Sequence, residues 1–389
     1  MPHRILLLTP TPTHPCDAGN RVRIHNLVCS LRELGHEVFM LHMEREPGDK
    51  AAMGAWLGEA NFRSVPFRGA RREESAIQRG LRHLQQLVDN DARHVWGLDD
   101  WYDPAVTEAA LDWHRECGFT AVLVEYVFLS RLLEAFPGEV LKIIDTHDRF
   151  ANRHRIYLER GLPPQFYSTT PRREGRGLDR ADVVLAIQDS ERAYFAGVTR
   201  ADVLTLGHLL RLEDCLRAPD VAPRALIAGS SNPINVDGAQ AFLDEVWPAV
   251  RQRMPAARLS IAGALSGALP DAPGVEKLGV VADMTEAYRA ADLAINPVRQ
   301  GTGLNIKSIE ALGFGLPLAT TPAGARGLEA AEGFGLRTCG TPVAMQEAIV
   351  ELLGDAGLRR EYGRRGMAFA RDWNRRALGG LAHLLGSRA

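Results

Sequence analysis

Cysteine is scarce in this chain, and its spacing argues against two kinds of site. The 389 residues include five cysteines, which lie far apart, form no C-x-x-C pair and are odd in number. Disulfide frameworks and zinc sites need cysteines that are paired or closely spaced. Neither is predicted, and we expect the protein to work in the reducing environment of the cytosol.

Long apolar runs and a large charge of one sign are also missing. No apolar run approaches the roughly 20 residues of a membrane-spanning helix, and the first run, "ILLL", is soon closed by Pro10 and Pro12. That run is too brief for a signal peptide and is interpreted as a strand. The formal net charge of -2 gives no reason to expect nucleic acid as a partner.

The chain does contain enough apolar residues for two domains. Hydrophobic residues make up 46% of the sequence and charged residues 24%, and a single core stops growing beyond about 250 to 300 residues. A polar segment with two prolines, "RLEDCLRAPDVAPRA" at 211–225, has the composition of a linker. We predict a first domain over 1–210 and a second domain over 211–369.

Short β-branched and leucine-rich runs alternate with segments of helical period in both halves, which is typical of a parallel sheet covered on both faces. After the linker, apolar residues from Val236 to Val250 recur at spacings of three and four and predict one helix with a buried stripe. The predicted fold is α/β, with two Rossmann-like doubly wound domains. Strands are predicted at 4–8, 37–42, 121–126, 141–145, 182–187, 202–207, 224–229, 258–263, 277–281, 292–297 and 316–320.

A glycine-rich loop, "RQGTGLNIK" at 299–307, follows one of these strands and precedes a helix that carries Glu310. Ligands of open parallel sheets bind at the carboxyl ends of strands. Glycines let backbone N–H groups approach an anion, and a helix start adds unpaired donors. Lys307 and Glu310 share a helix face, so they could meet a phosphate and a ribose. Alternatively, the loop is an ordinary turn and the two side chains form a solvated pair.

The stretch "EKLGVVADMTEAYRAADLAINPVRQGTGLNIKSIEALGFGLPLATTPAGARGL" resembles the donor-binding half of GT-B glycosyltransferases of the family-4-like group, the glycosyl transferases group 1. The first half continues the resemblance in "LTPTPTHPCDAGNRVRIHNLVCSLRELGHEV", "IIDTHDRFANRHR" and "LDRADVVLAIQDSERAYF". It therefore spans nearly the whole chain in the right order. The resemblance implies two domains with a cleft between them, and closing helices at 370–389 that return to the first domain.

The resemblance also implies roles for individual residues in the second domain. The loop amides and Lys307 would hold the diphosphate of a nucleotide-sugar donor, Glu310 the ribose, and Val280 with Val281 the base. The implied donor-binding residues are Gly229, Asn232, Val280, Val281, Arg299, Gly301, Thr302, Gly303, Leu304, Asn305, Lys307 and Glu310. Such enzymes need neither a metal nor another cofactor, because amides and cations neutralise the leaving diphosphate.

In the first domain the resemblance places the acceptor around Gly19, Arg21 and Asp145. An inverting enzyme needs a general base for the acceptor hydroxyl, and the candidates are His14, Asp17, His147 and Asp148. A retaining enzyme would use His147 to position the sugar instead. Two other interpretations of 145–148 are a site for a hard divalent metal and plain capping at a strand end.

Two positions depart from the pattern of the family. Retaining members often carry a glutamate eight positions before the ribose glutamate, where this chain has Thr302. A basic residue commonly follows the first strand of the second domain, where this chain has Asn232, Pro233 and Asn235. We expect Arg299 or an arginine of the first domain to replace it. A nucleotide-sugar epimerase and a binding protein without turnover are the alternative functions.

The expected reaction is transfer of a sugar from a nucleotide-diphosphate donor to a hydroxyl group of a saccharide, a lipid-linked glycan or another glycoconjugate. Assembly of a surface polysaccharide is a plausible setting. A basic amphipathic segment at 68–83 could lie on the inner face of an anionic membrane, which would suit a lipid-linked acceptor. A solvated charged face is the alternative interpretation of that segment.

Overall fold

The computed structural model describes residues 2–69, 90–213, 223–281, 284–301 and 303–386, and divides the chain into two compact units. The first unit comprises Met1–His14, Leu27–Gly207 and Gly379–Ala389, and the second comprises Pro15–Asn26 and His208–Leu378. The sequence placed 15–26 in the first domain and the boundary at 210. Most of the basic segment 68–83 and of the linker lies outside the described residues.

The first unit is built on a seven-stranded parallel sheet with the order β3-β2-β1-β4-β5-β6-β7. The order reverses between β1 and β4, so the loops that follow these two strands diverge at the carboxyl edge. The strands are β1 (Arg4–Thr9), β2 (Glu37–Glu44), β3 (Phe62–Pro66), β4 (Ala121–Glu125), β5 (Leu141–Asp145), β6 (Val183–Ala186) and β7 (Asp202–Thr205).

Helices connect these strands and cover the sheet. Their ends follow local chemistry: Asp49 and Thr170 cap α2 and α5 by accepting hydrogen bonds from backbone N–H groups, and Gly118 ends α3 in the left-handed conformation that favours glycine. The helices are α1 (Gly19–Glu33), α2 (Lys50–Leu57), α3 (Ala105–Cys117), α4 (Arg153–Leu158), α5 (Pro171–Leu178) and α6 (Asp189–Ala196).

The second unit is built on a six-stranded parallel sheet with the order β10-β9-β8-β11-β12-β13. Its strands are β8 (Arg224–Ala228), β9 (Arg258–Ala262), β10 (Val275–Gly279), β11 (Leu293–Asn296), β12 (Leu318–Thr320) and β13 (Leu336–Thr338). Its helices are α7 (Pro233–Glu245), α8 (Trp247–Arg253), α9 (Met284–Arg289), α10 (Ile306–Gly313) and α11 (Pro342–Gly354), followed by the long α12 (Ala356–Gly386).

The predicted α/β architecture with two doubly wound domains is confirmed. The sequence missed β3, which contains a proline and only one buried residue, and β13, which has three residues. Edge strands like these carry little of the buried apolar pattern that reveals a strand. The single helix predicted from Val236 to Val250 is instead the pair α7 and α8, because Pro248 cannot continue a helix and starts the second one.

None of the helices in the described part of the chain is both long and apolar enough to cross a membrane.

Buried Glu174 on α5 fixes the chain just after β5. Its Oε1 accepts hydrogen bonds from the backbone N–H groups of Phe150, at 2.6 Å, and Ala151, at 3.2 Å. Its Oε2 accepts one from the Tyr194 hydroxyl at 2.9 Å. Burial raises the pKa of the Glu174 carboxyl despite these bonds, so its proton is held more tightly in the folded than in the unfolded chain.

We predict that Glu174→Gln unfolds with a free energy equal to that of the wild type at low pH and above it at neutral pH, whereas Glu174→Ala lowers this free energy by about 1–3 kcal/mol because two amides lose their acceptor. Since the folded pKa is raised, the wild-type carboxyl destabilises the fold increasingly as the pH rises above its ordinary value of 4.5. The advantage of Glu174→Gln should therefore grow with pH. Urea unfolding of both variants at several pH values tests this, and equal losses for Gln and Ala would contradict it.

Candidate functional site

The carboxyl ends of β8 and β11 form the centre of the candidate donor site in the second unit. These strands are parallel neighbours, with Leu293 opposite Ala225 and Ala294 opposite Leu226. The next strand in the chain, β9, lies on one side of β8, whereas β11 lies on its other side. The strand order of the sheet therefore reverses between β8 and β11. A crevice for ligands is expected at such a point, and the predicted donor-binding residues lie in the loops that follow these two strands.

Lys307, in the first turn of α10, points at the end of β8. Its Nζ donates a hydrogen bond of 2.9 Å to Asn235 Oδ1 and lies 3.6 Å from the place of a Cβ on Gly229. The Asn235 amide also donates to the Ser230 carbonyl at 3.2 Å. Burial lowers the pKa of Lys307 to about 8, and no carboxylate of the described residues forms an ion pair with it. An anion there would supply the missing negative charge.

Glu310 lies one turn further along α10 and is oriented by two neighbours. Its Oε2 accepts a hydrogen bond from the Tyr288 hydroxyl at 3.3 Å, and its Oε1 lies 3.7 Å from His208 Nε2. Burial and the Glu310 carboxylate raise the pKa of Tyr288 well above its ordinary value, so Tyr288 remains a donor. A carboxylate has about four acceptor positions, which leaves room for ribose hydroxyls.

The glycine-rich loop is tied to the turn after β12. Arg326, which the sequence analysis missed, donates to the carbonyl of Gly301. Asn305 donates to the Ala323 carbonyl at 3.0 Å. The only sequence signal for Arg326 was its place in the second glycine-rich turn, "TTPAGARG". These two hydrogen bonds join the glycine-rich loop to the turn after β12, and they place the guanidinium group of Arg326 beside the backbone of the loop.

A buried polar network holds these loops together. Asn296, at the end of β11, donates to Ser308 Oγ at 2.8 Å, and Ser308 donates to the Gly324 carbonyl at 2.8 Å. Thr320 Oγ1 donates to the Asn296 carbonyl at 2.8 Å. Buried polar atoms need such partners, so the network specifies one arrangement of the two turns. Sequence reasoning did not identify any of these residues.

The remaining predicted donor-binding residues differ in their contacts and in their burial. Asn232 caps α7 by accepting from the Ile234 N–H, and Arg299 forms an ion pair with Glu245 at 2.7 Å. The side chain of Val280 is exposed, Val281 is half-buried, Leu304 is buried and Gly303 is half-buried. Thr302 lies outside the described residues. The expectation that Arg299 replaces the missing basic residue gains no support, since it already has a carboxylate partner.

Gly19, predicted on the acceptor side, lies in the second unit beside the glycine-rich loop. A Cβ on Gly19 would sit 3.4 Å from Ile306 Cβ, at the first residue of α10. Arg21 forms an ion pair of 3.3 Å with Asp17 in the same segment. The structure therefore brings Gly19 to the donor residues and couples Arg21 to one of the predicted catalytic candidates.

A second cluster lies at the carboxyl ends of β4 and β5 in the first unit. His147 Nε2 is in direct contact with Glu125 Oε2 and lies 3.9 Å from Asp145 Oδ2. The Tyr126 ring stacks on the imidazole, with ring centroids 4.2 Å apart. All four residues are buried. Glu125 and Tyr126 were predicted only as the end of a strand, so their role here is a finding of the structure.

Two other catalytic candidates of the first unit have contacts of their own. Asp148 forms an ion pair with Arg153 and accepts from the Arg149 N–H at 3.0 Å. His14 is hydrogen-bonded to Thr13 Oγ1 at 3.0 Å and packs against Trp56. The structure thus brings His147 and Asp145 together and leaves Asp148 on a separate ion pair.

Glu125, Asp145 and His147 are also the three metal-binding side chains that gather within 4.8 Å of one another in the described part of the chain. Oxygen and imidazole ligands of this kind suit several divalent metals. Ligation would require His147 Nε2 to present its lone pair, whereas its direct contact with Glu125 is that of a hydrogen bond. The prediction of a metal-free enzyme stays a prediction.

Comparison with known proteins agrees with the geometry of the second unit. Residues 222–355 match the family model described as "Glycosyl transferases group 1". This stretch contains both loops of the candidate donor site and the strands that position them. A search of curated protein sequences found no match.

The match covers most of the second unit, and the fold of the whole chain is that of two-domain GT-B proteins. Solved structures are similar to this chain over its full length. Sucrose-phosphate synthase from Thermosynechococcus elongatus superposes with a TM-score of 0.67 at 16% identity, over 100% of both chains. HepE of Anabaena, in complex with UDP and glucose, gives 0.65 at 14% identity, over 99% of this chain and 100% of HepE. TarM gives 0.68 at 8% identity, over 99% of each chain. At these identities the likeness shows the fold.

We predict that Gly324→Ala destabilises the two loops of the candidate donor site. A Cβ at Gly324 would lie 2.1 Å from Thr320 Oγ1 and 2.9 Å from Asn296 Nδ2, so the network must shift, at about 1–3 kcal/mol. Gly267→Ala is the matched control, because a Cβ there meets nothing within 4 Å. Urea unfolding compares the two variants, and equal stability would show that the network is not a rigid one.

Proposed function

We propose that this glycosyltransferase moves a sugar from a nucleotide-diphosphate donor to a hydroxyl group of a saccharide, a lipid-linked glycan or another glycoconjugate, without a metal. The observation that carries the proposal is Lys307. Its ammonium group, partly desolvated and held by Asn235, faces the sheet edge where nucleotides bind in open α/β sheets. Burial removes the ammonium group from water, and a diphosphate beside it would replace the lost hydration with a favourable interaction between opposite charges.

The residues around Lys307 support a nucleotide as the ligand. Glu310, oriented by Tyr288, is placed to accept hydrogen bonds from ribose hydroxyls, and exposed Val280 offers an apolar surface to a base. UDP is the first donor nucleotide to test. HepE is described in complexes with UDP, glucose and UDP-glucose, and a variant of S. aureus TarM in complex with UDP, Fondaparinux and alpha-GlcNAc-glycerol.

The acceptor side rests on the first unit. Buried carboxylates and His147 at the carboxyl edge of its sheet suit recognition of hydroxyl groups, which favours a saccharide or another glycoconjugate as the acceptor. Assembly of a surface polysaccharide, in the cytosol or at the inner face of the membrane, is the setting that we propose for this chemistry. Amides, Lys307 and Arg326 would take the place of a metal at the leaving diphosphate.

We predict that incubation with UDP-, GDP-, dTDP- and CMP-sugars gives release of a nucleotide, with transfer to an acceptor or slow transfer to water. Product analysis by mass spectrometry and NMR tests this. Conversion of the donor to its epimer would indicate an epimerase, and binding without turnover would indicate a degenerate enzyme. Full activity in EDTA is expected, and its loss with recovery on adding a divalent metal would contradict the metal-free mechanism.

We predict that Lys307→Ala weakens UDP binding by about 1.5–3 kcal/mol, the usual value for a hydrogen bond to a charged group. Lys50→Ala, at an exposed lysine paired with Glu44, is the control and should bind as the wild type does. Isothermal titration calorimetry measures both variants. Unchanged UDP affinity of Lys307→Ala would contradict the phosphate role.

The pKa of Lys307 also predicts a pH dependence of nucleotide binding. Because its pKa is lowered to about 8, the lysine loses its proton as the pH rises through 8, and the attraction for the diphosphate is lost with it. UDP affinity should therefore fall between pH 7 and pH 9, with proton uptake on binding at the higher pH. Lys307→Ala should show neither effect, and calorimetry in buffers of different ionisation enthalpy measures both.

A further inference from the structure

An open cleft in the first unit is lined mainly by charged side chains, most of them arginines and carboxylates. Its volume is about 550 Å³, within the range of roughly 300–1,000 Å³ that small-molecule sites occupy. The described residues that line it include none from the candidate donor site and none from the His147 cluster. The cleft is therefore a feature that the proposed function does not use.

The cleft runs along α5 to the amino edge of the sheet. Asp179 and Arg180, which line it, lie between α5 and β6, and Arg200 lies just before β7. Because β5, β6 and β7 are parallel, the residues that precede β6 and β7 lie at the edge opposite to the carboxyl ends of the strands. This end of the cleft therefore lies away from the His147 cluster.

Two buried glycines of α5 bring the walls of the cleft together. A Cβ on Gly175 would lie 2.2 Å from the carbonyl oxygen of Val198, and a Cβ on Gly177 would lie 2.7 Å from a methyl carbon of Leu98. Such approaches leave no room for a larger residue. The helix therefore packs directly on the two neighbouring segments that carry the other charged residues of the cleft, and its arginines lie on the exposed side.

Arg173 and Arg176 are the arginines of the cleft that have no carboxylate partner among the described residues. Both are exposed, and their spacing of three places them side by side on α5. The Arg173 guanidinium donates a hydrogen bond of 3.2 Å to the Trp96 carbonyl, which orients it. Two like charges on one helix face repel each other, and an anion bound between them would remove this repulsion.

The other arginines of the cleft are paired with its carboxylates. Arg180 donates to both carboxylate oxygens of Asp99, at 2.6 and 2.9 Å, and its Nε lies 3.2 Å from Glu134 Oε2. Arg200 Nε lies 3.5 Å from Asp179 Oδ2. These pairs neutralise the carboxylates, which would otherwise repel an anion. A carboxylate has about four acceptor positions, so the paired groups can still accept hydrogen bonds from hydroxyl groups of a ligand.

We propose that this cleft binds a phosphate ester that carries hydroxyl groups, such as a sugar phosphate. Arg173 and Arg176 bind the phosphate, because guanidinium groups donate forked pairs of hydrogen bonds to phosphate oxygens. The neutralised carboxylates accept hydrogen bonds from the hydroxyl groups. The headgroup of phosphatidylglycerol has the same chemistry, so the phosphate ester comes either from a dissolved metabolite or from a membrane lipid.

Isothermal titration calorimetry of the full-length protein with glucose 6-phosphate tests the dissolved source. Arg173→Gln and Arg176→Gln should each weaken binding by about 10- to 100-fold, the usual effect of losing a hydrogen bond to a charged group. Arg172→Gln is the matched control, because Arg172 is an exposed arginine of the same helix that does not line the cleft. Arg172→Gln and Lys307→Ala should both bind glucose 6-phosphate as the wild type does.

Sedimentation with phosphatidylcholine vesicles that contain phosphatidylglycerol tests the lipid source. Binding of either probe that is lost when Arg173 and Arg176 are both replaced by Gln, and is kept in Arg172→Gln, supports the proposal and identifies the source of the phosphate. An equal loss in Arg172→Gln would show an effect of overall charge and would overturn it. Binding of glucose as tight as that of glucose 6-phosphate, or binding of neither probe by the wild type, would also overturn it. None of these outcomes depends on UDP binding or on sugar transfer.

Discussion

The parallel pairing of β8 with β11 is the constraint on which the donor site depends. Asn235 and Lys307 are 72 positions apart, and each lies on the helix that follows one of these strands. Their contact exists only because the two strands are neighbours and their connections run to opposite sides of the sheet. The same pairing opens a crevice at the strand ends, because diverging chains leave their last backbone groups uncovered.

Buried polar atoms then convert this topology into a defined shape. Asn296, Ser308 and Thr320 satisfy one another across three elements, and any other arrangement of the two turns would leave some of them without partners in a dry interior. Glu174 acts in the same way in the first unit, where it fixes the chain after β5. In both units the sheet provides the position of a loop, and a small polar network provides its conformation.

The carboxyl edges of the two sheets carry buried ionisable groups of opposite kinds. The second unit presents a cation, Lys307, whose burial lowers its pKa and prepares it for a negative ligand. The first unit instead buries the carboxyl groups of Glu125 and Asp145 beside His147.

The sequence by itself determined the α/β class, most strands, and the loop with Lys307 and Glu310, because hydrophobic period and glycine chemistry are local properties. It could not predict short edge strands such as β13, whose burial is slight. Only the tertiary structure decided that Glu125 meets His147, that Arg326 supports the glycine-rich loop, and that Gly19 lies beside α10. These contacts join residues 22 to 287 positions apart, which sheet order brings together and no local pattern records.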